Sequence, residues 1–312
     1  MKVVKGFSSK GPLGVLLDAA DLSRSSYYYR VKEGKRGKRP VGLTVTDRGT
    51  LVGDSQVVSE IKTLLGKEFV SYGYVKVTHH LRNKGYVINK KKVYRLMREA
   101  GLLLPRRIRT KGKREFVKEW VVRTTRPYEY FEMDIKYFWL TGEGRNAYLL
   151  SILDLYSRKV AGWKLGRSIR KGDVVGLLKA LFASSPRIKG VTIRTDNGSQ
   201  FLAHTVRDYL KEMCVTHEFT HVGTPEENGH IEAFHSILET EVVRRFEYET
   251  LEELEAILIR YMIFYNTKRL HSSLNYRSPD QFLEDYYRKK TQEDKWKTSK
   301  IDWDLKSVSL SS

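Results

Sequence analysis

Cysteine is nearly absent from these 312 residues, and the single Cys214 excludes a disulfide framework or a zinc module built on several cysteines. Long apolar runs are missing too. No stretch reaches the roughly 18 residues of a membrane span, and the opening MKVVKGFSSK lacks the apolar segment of a signal peptide. Both absences point to a soluble, intracellular protein. Acidic residues are also in deficit: 37 Asp and Glu face 57 Lys and Arg, a formal charge of +20. That imbalance favours a polyanionic partner, nucleic acid first. What is present in quantity is apolar side chain, 40% of the chain, enough for a real core in at least one of the two domains the length allows.

The acid deficit is local. Residues 1–126 hold 30 Lys and Arg against 10 Asp and Glu, whereas residues 127–312 hold 27 of each. A uniform basic coat for solubility would not divide this way, so the first part reads as a nucleic-acid-binding arm and the second as something with another task.

Within the arm, two stretches rich in charge and in Gly or Pro read as linkers, Lys32 to Pro40 and Pro105 to Arg114. The pattern before and between them is helical. Leu13, Leu16, Leu17 and Ala20 recur at helical spacing, and Ser23 can cap a short helix beyond them. Tyr27, Tyr28 and Tyr29 read as packing residues there, with stacking on or contact to sugars as the alternative. Val57, Ile61, Leu64 and Leu65 mark a second helix after Asp54, and a third covers Tyr74 to Asn83. A fourth follows the turn at Lys84 to Val87, with Asn89 as N-cap, Val93, Leu96 and Met97 as apolar stripe, and Gly101 as stop. Its other side carries Lys90, Lys91, Lys92, Arg95 and Arg98. Short helices joined by a tight turn, the second one basic, make a helix-turn-helix pattern whose recognition helix enters the major groove. A solvated basic face on a packing helix is the alternative.

From Tyr128 the period changes to two. Phe131, Met133, Ile135 and Tyr137 alternate with Glu132, Asp134 and Lys136; Ala147 to Tyr156 is almost continuously apolar, and Lys159 to Leu165 reads as a third strand of an antiparallel meander. A helix over Asp173 to Phe182, a strand over Gly190 to Thr195, a helix over Ala203 to Met213 and a strand over Val215 to His221 follow, then helices to Thr267. The expected class is α/β, a mixed five-stranded sheet flanked by helices and preceded by an all-α region.

Three carboxylates stand out by position. Asp134 lies mid-strand on the polar face, Asp196 ends a strand against the Asn197-Gly198 turn, and Glu232 sits just inside a helix after the Pro225 to Gly229 loop. Two carboxylates about 4 Å apart repel by roughly 4 kcal/mol at an effective dielectric near 20. A cluster of them therefore implies a cation. Oxygen donors without a close His pair suit Mg²⁺ or Mn²⁺, and two such ions about 3.5 to 4 Å apart serve phosphoryl transfer. The alternative is that each acid pairs with a neighbour, for instance Asp196 with Arg194.

MDIKYF around Asp134, RTDNGSQF around Asp196 and NGHIEAFHSILETE around Glu232, with 35 residues between the last two acids, resemble the DDE transposase and retroviral-integrase catalytic core family. The segment from Tyr265 through His271 to Leu274, followed by Ser278-Pro279, is similar to the end of the catalytic subunit (OrfB) of the insertion-sequence family numbered three. The helix-turn-helix from Tyr72 to Leu104 resembles the one preceding that core, and the likeness spans roughly residues 13–287. It implies an RNase H-like catalytic core over residues 127–287, a basic N-terminal helical segment (1–40), a helix-turn-helix DNA-binding domain (54–106), a basic linker (107–126) and a C-terminal tail (288–312). It also implies a metal-dependent DNA transposase that frees a 3′-OH at the ends of an insertion sequence and joins it to target DNA; a catalytically idle DNA-binding regulator derived from a transposase is the alternative. Asp134 would bridge two Mg²⁺ or Mn²⁺ ions while Asp196 and Glu232 each complete one site, and Asn197 and Gly198 would hold the turn presenting Asp196.

The expected DNA contacts are Lys90, Lys91, Lys92, Arg95 and Arg98, with Arg106, Arg107 and Arg109 in the linker. The expected partners are double-stranded DNA, as terminal inverted repeats and target, and further copies of the chain assembled on it. The family's setting implies a bacterial cytoplasmic protein associated with the nucleoid. The retroviral relatives' zinc module is missing here. So are the upstream frame's further helix-turn-helix and leucine zipper, which leads to the expectation of an upstream-frame partner or fusion for end recognition. Asp154 is expected to hydrogen-bond within the sheet. Lys164 and Arg167 read as phosphate contacts or a solvated face, His230 and His235 as helpers of Glu232 or surface residues, and Arg269 and His271 as DNA contacts or anchors of the last helices.

Overall fold

Local signals place most of the helices. The computed structural model describes residues 4, 6, 9, 11–28, 41–105, 122–184, 190–221 and 225–292, and the chain divides into two compact units, 1–43 and 44–312. In the first, α1 (Leu13–Ala19) follows Pro12 and buries Leu17, and α2 (Arg24–Tyr27) is capped by the Ser23 hydroxyl, which accepts the Ser26 amide at 3.2 Å. Tyr28 is 65% exposed and packs into no core, in contrast to the expectation from sequence. A four-residue helix has too little apolar face to bury both Tyr27 and Tyr28. Tyr29 lies outside the described residues.

The second unit opens with a small sheet of order β2-β1-β3, made of β1 (Leu43–Thr46), β2 (Leu51–Gly53) and β3 (Tyr86–Val87), with Val45 opposite Val87. Strands of two to four residues are too short to show a period, so the sequence suggested helices alone there. Around it lie α3 (Asp54–Leu65), α4 (Tyr74–Asn83) and α5 (Lys90–Glu99). Of the apolar residues expected inside, Val57, Ile61 and Leu64 on α3 and Val93, Leu96 and Met97 on α5 are buried, while Leu65 is half-buried against them. The Asn89 carboxamide caps α5 by accepting the Lys92 amide at 2.9 Å, and Gly101, at φ +69°, takes the left-handed conformation that ends it.

The main sheet has order β6-β5-β4-β7-β8, from β4 (Tyr130–Leu140), β5 (Arg145–Asp154), β6 (Val160–Gly166), β7 (Thr192–Thr195) and β8 (Thr216–Phe219). The first three form the antiparallel meander; β7 and β8 add in parallel. On one face Phe131, Met133, Leu150 and Ile152 pack against α6 (Lys171–Ser184), α7 (Ser199–Leu202) and α8 (His204–Glu212). On the other, Phe138, Leu140 and Leu149 pack against α9 (Gly229–Leu238) and α10 (Leu251–Thr267). Since β4 is central and covered on both faces, its polar side does not meet bulk water: Glu132 is only 1% exposed. A π-helical turn, Glu239–Val243, continues α9, and α11 (279–292) starts at Ser278, whose hydroxyl accepts the Gln281 amide, with Pro279 in the first turn.

The helix-turn-helix region and the core share one hydrophobic cluster. The Phe69 ring lies 5.1, 5.2 and 5.7 Å from those of Phe246, Tyr261 and Phe264, and the Tyr72 hydroxyl accepts the Leu270 amide at 3.0 Å. Beneath them Arg269 makes a two-pronged ion pair with Glu241 at 2.8 and 2.9 Å, to which Tyr261 also donates. Arg269 and His271 are 5% and 6% exposed, so they anchor the end of the core rather than face DNA. Among the described residues, no helix is long and apolar enough to cross a membrane.

Candidate active site and nucleic-acid interface

The pairing of β4 with β7 decides where two of the acids stand. Met133 lies opposite Thr195 in parallel register, so Asp134, within β4, and Asp196, just past the end of β7, stand on neighbouring chain segments, strand axes being about 4.8 Å apart. Asp196 is held by a tight turn in which its own Oδ1 accepts the Gly198 amide at 3.0 Å. A Cβ at position 198 would stand 2.9 Å from that oxygen, so a larger residue there would have to displace the Asp196 carboxylate from this turn. Asn197 ties the turn to the end of β8 by donating to the Thr220 carbonyl at 2.8 Å. Arg194 does not pair with Asp196. Its guanidinium is buried, bonded to Glu218 and to the Glu227 carbonyl, and lies over the Tyr130 ring.

Glu232 arrives on the first turn of α9. Burial pushes the Asp134 carboxyl up to about 6, and the like charges of Asp196 and Glu232 push in the same direction, against the Ile135 amide that donates to it. Both acids thus act on Asp134, which is partly sheltered while they are exposed. Among the described residues, no three His, Cys, Asp or Glu side chains meet closely enough to enclose a metal ion. The donors nonetheless fit a hard divalent cation: all are carboxylate oxygens, and positive charge would offset both the burial of the Asp134 carboxylate and the like charges that add to its rise.

Two neighbours complete the setting. His235 places Nδ1 3.5 Å from the Asp134 Oδ2 and Nε2 3.1 Å from the Ser151 hydroxyl. Burial, assisted by Lys136, lowers its pKa to about 4, so it touches Asp134 as a neutral ring and not as an ion-pair partner. Glu132, two residues before Asp134 on the same face, accepts the Ile231 amide at 2.7 Å and so caps α9 from the strand; burial pushes it up to about 7 against the pull of that amide, Arg194 and Arg158. Sequence reasoning passed over Glu132. Its one signal was sharing a strand face with Asp134.

The other expected residues sort by their partners. Asp154 is fully buried and accepts the Tyr128 and Ser157 amides. Lys164 pairs with Asp173 at 2.6 Å, and Arg167 with Glu143 and Glu252. The burial of His230 lowers its pKa to about 4. On α5, Lys90, Lys91 and Arg98 are exposed, whereas Lys92 and Arg95 both reach Asp54, at 2.7 and 2.8 Å. Burial opposes ionisation of Asp54, but the bonds from Lys92 and Arg95 hold its carboxyl below the ordinary range. Arg106, Arg107 and Arg109 lie outside the described residues.

Residues 124–225 match the integrase core domain family, residues 213–279 match a second integrase core domain family, and residues 54–110 match an HTH-like domain. The chain belongs to the transposase and integrase family. Among members of this family it is 29% identical over 247 residues to the transposase for insertion sequence element IS904 of Lactococcus lactis, covering 73% of this chain and 94% of that one. To InsK of insertion sequence element IS150 from Escherichia coli it is 26% identical over 297 residues, 92% of this chain and 99% of the other. Transposase InsF for insertion sequence IS3A, also from Escherichia coli, is 27% identical over 227 residues, 68% and 76% of the two chains. The integrase core match and the mixed five-stranded sheet together give an RNase H-like fold, with the HTH-like domain ahead of it. The integrase core match and the transposase relatives support a polynucleotidyl-transferase-type enzyme.

Proposed function

We propose that this chain is a transposase that cuts the ends of an insertion sequence and joins the freed 3′-OH to target DNA, with Asp134, Asp196 and Glu232 as its catalytic carboxylates. The observation that supports this most is the convergence of three acids from two adjacent strands and one helix start, where the like charges of Asp196 and Glu232 add to the burial that raises Asp134. Asp134, Asp196 and Glu232 would together hold two Mg²⁺ or Mn²⁺ ions. Divalent cations so held supply the charge that favours an ionised water or 3′-hydroxyl and steadies a leaving oxygen.

The first reaction is attack of water on the phosphodiester at the element's end, displacing the 3′-oxygen as a hydroxyl. In the second, that hydroxyl attacks a phosphodiester of the target and displaces its 3′-oxygen. Each is an in-line exchange of one P–O bond for another, so no covalent enzyme intermediate is required. The Gly198 turn fixes one carboxylate, the neutral His235 ring lies against another, and α9 carries the third. Lys90, Lys91 and Arg98 lie exposed on α5 to neutralise phosphates and bring duplex DNA to the core. Several copies would act together on paired ends, and an upstream-frame helix-turn-helix and zipper protein, separate or fused, would add end recognition.

Incubation with the element's own ends, target DNA and Mg²⁺ tests this. Asp134→Asn, Asp196→Asn and Glu232→Gln are each expected to abolish cleavage and joining and to leave duplex binding within about two-fold, since α5 is untouched. Full activity in any of the three would refute the assignment. An idle regulator would instead show no joining in the unaltered chain, with or without the upstream product.

A further inference from the structure

Three successive residues on one face of β4 each meet α9 or its continuation, and the contacts are spaced one helical turn apart. Glu132 accepts the Ile231 amide at 2.7 Å, Asp134 lies 3.5 Å from His235, and Lys136 pairs with Glu239 at 3.1 Å. The strand positions differ by two and the helix positions by four. Two residues of strand rise about 6.6 Å and four residues of helix about 6.0 Å, so the two repeats stay in step over the whole helix. The Asn228 side chain makes no hydrogen bond to cap the start of α9, which leaves Glu132, buried and reaching over from the strand, to do so.

We infer that these contacts are rungs that set the register of α9 against β4, and that Glu132 and Lys136, with Glu239, are positioning residues for the carboxylate site. Glu232 follows Ile231 directly, so its distance from Asp134 is fixed by where Ile231 stands. A helix slipped by one residue would move Glu232 by about 1.5 Å along the axis and turn it by about 100°. A shift of about 1 Å in a reacting group is enough to cost a hundred-fold in rate. Apolar packing of Phe234 and Leu238 holds the helix to the sheet, but apolar contact is non-directional and does not choose one register by itself. The rungs supply the direction. The inference rests on the assignment of Asp134, Asp196 and Glu232 proposed above.

The test uses the full chain with Glu132→Ala, Glu132→Gln, Lys136→Glu, Glu239→Lys and the charge-swapped double variant of the last two. Joining is measured alongside Mn²⁺ binding by electron paramagnetic resonance, with thermal unfolding to establish that each protein is folded and Asp134→Asn as the reference for a lost site. Lys136→Glu and Glu239→Lys are each expected to weaken Mn²⁺ binding and joining about ten-fold, the scale of one directed charge-assisted contact. The double swap is expected to recover most of both. Glu132→Gln, which still offers an oxygen to the Ile231 amide, is expected to lose less than Glu132→Ala. Folded single variants that bind Mn²⁺ and join like the unaltered chain would overturn the inference, as would a folded double swap no better than its parents. If Asp134→Asn itself joins DNA, it is the carboxylate assignment that fails and not the rungs.

Discussion

Helices α5 and α9 are both ten residues long, and both carry side chains on which function depends, yet they are held in opposite ways. Helix α5 is specified from within: Asn89 caps it, three apolar residues sink one face, and Gly101 ends it. Helix α9 is specified from outside, capped by a glutamate 99 residues away in sequence and ion-paired from the same strand at its far end. The difference follows from what each presents. A basic stripe offered to a phosphate backbone tolerates small displacements, because charge acts over several ångströms. A carboxylate that must share a site with two others does not.

The largest effect is expected where the external anchoring is buried. Glu241→Leu leaves the Arg269 guanidinium without its partner in the interior, and urea unfolding should show a loss of about 3 to 5 kcal/mol. Next is Lys76, on α4 beneath the shared cluster. Burial, with Arg269 nearby, lowers its pKa to about 7 from the ordinary 10.5. The unfolded chain then binds the extra proton between those values, so this group makes stability rise with pH across that window and weighs fully against folding below about 7. Lys76→Met should therefore stabilise, and the gain in urea midpoint should be larger near pH 6.5 than near pH 9.5. An equal gain at both values would show that the lysine is charged in the fold throughout.

Asn89→Ala should cost about 1 kcal/mol, because it removes the side-chain oxygen that accepts the Lys92 amide. Smallest in stability, and informative for binding, are the charges of α5. Replacing Lys90, Lys91 or Arg98 with Ala should lower the slope of log K against log salt by about 0.9 for each phosphate no longer neutralised. Lys92→Ala and Arg95→Ala should lower it less, since Asp54 already holds both.

The same contrast explains what could be read from sequence. The cap, stripe and stop of α5 lie within thirteen consecutive residues, Asn89 to Gly101, and were legible as written. The meander and the positions of Asp134 and Asp196 followed from alternation and from the Asn197-Gly198 turn. Glu132 was visible only as a polar residue in an alternating strand, because nothing local says that a helix start a hundred residues later lies above it. Arg269 and Glu241 were hidden for the same reason: each is an ordinary charge in sequence, and only the folded interior makes them partners. The small β1–β3 sheet escaped because its strands are shorter than the pattern that identifies a strand.

One experiment divides the two regions most directly. Asp196→Asn and the triple variant Lys90→Ala/Lys91→Ala/Arg98→Ala are compared with the unaltered chain for duplex affinity and for joining across a range of protein concentrations. The acid variant is expected to bind normally and never join, while the triple variant binds weakly and regains joining as its concentration rises. Joining by Asp196→Asn, or unaltered affinity and salt dependence in the triple variant, would contradict the division of labour between core and basic helix.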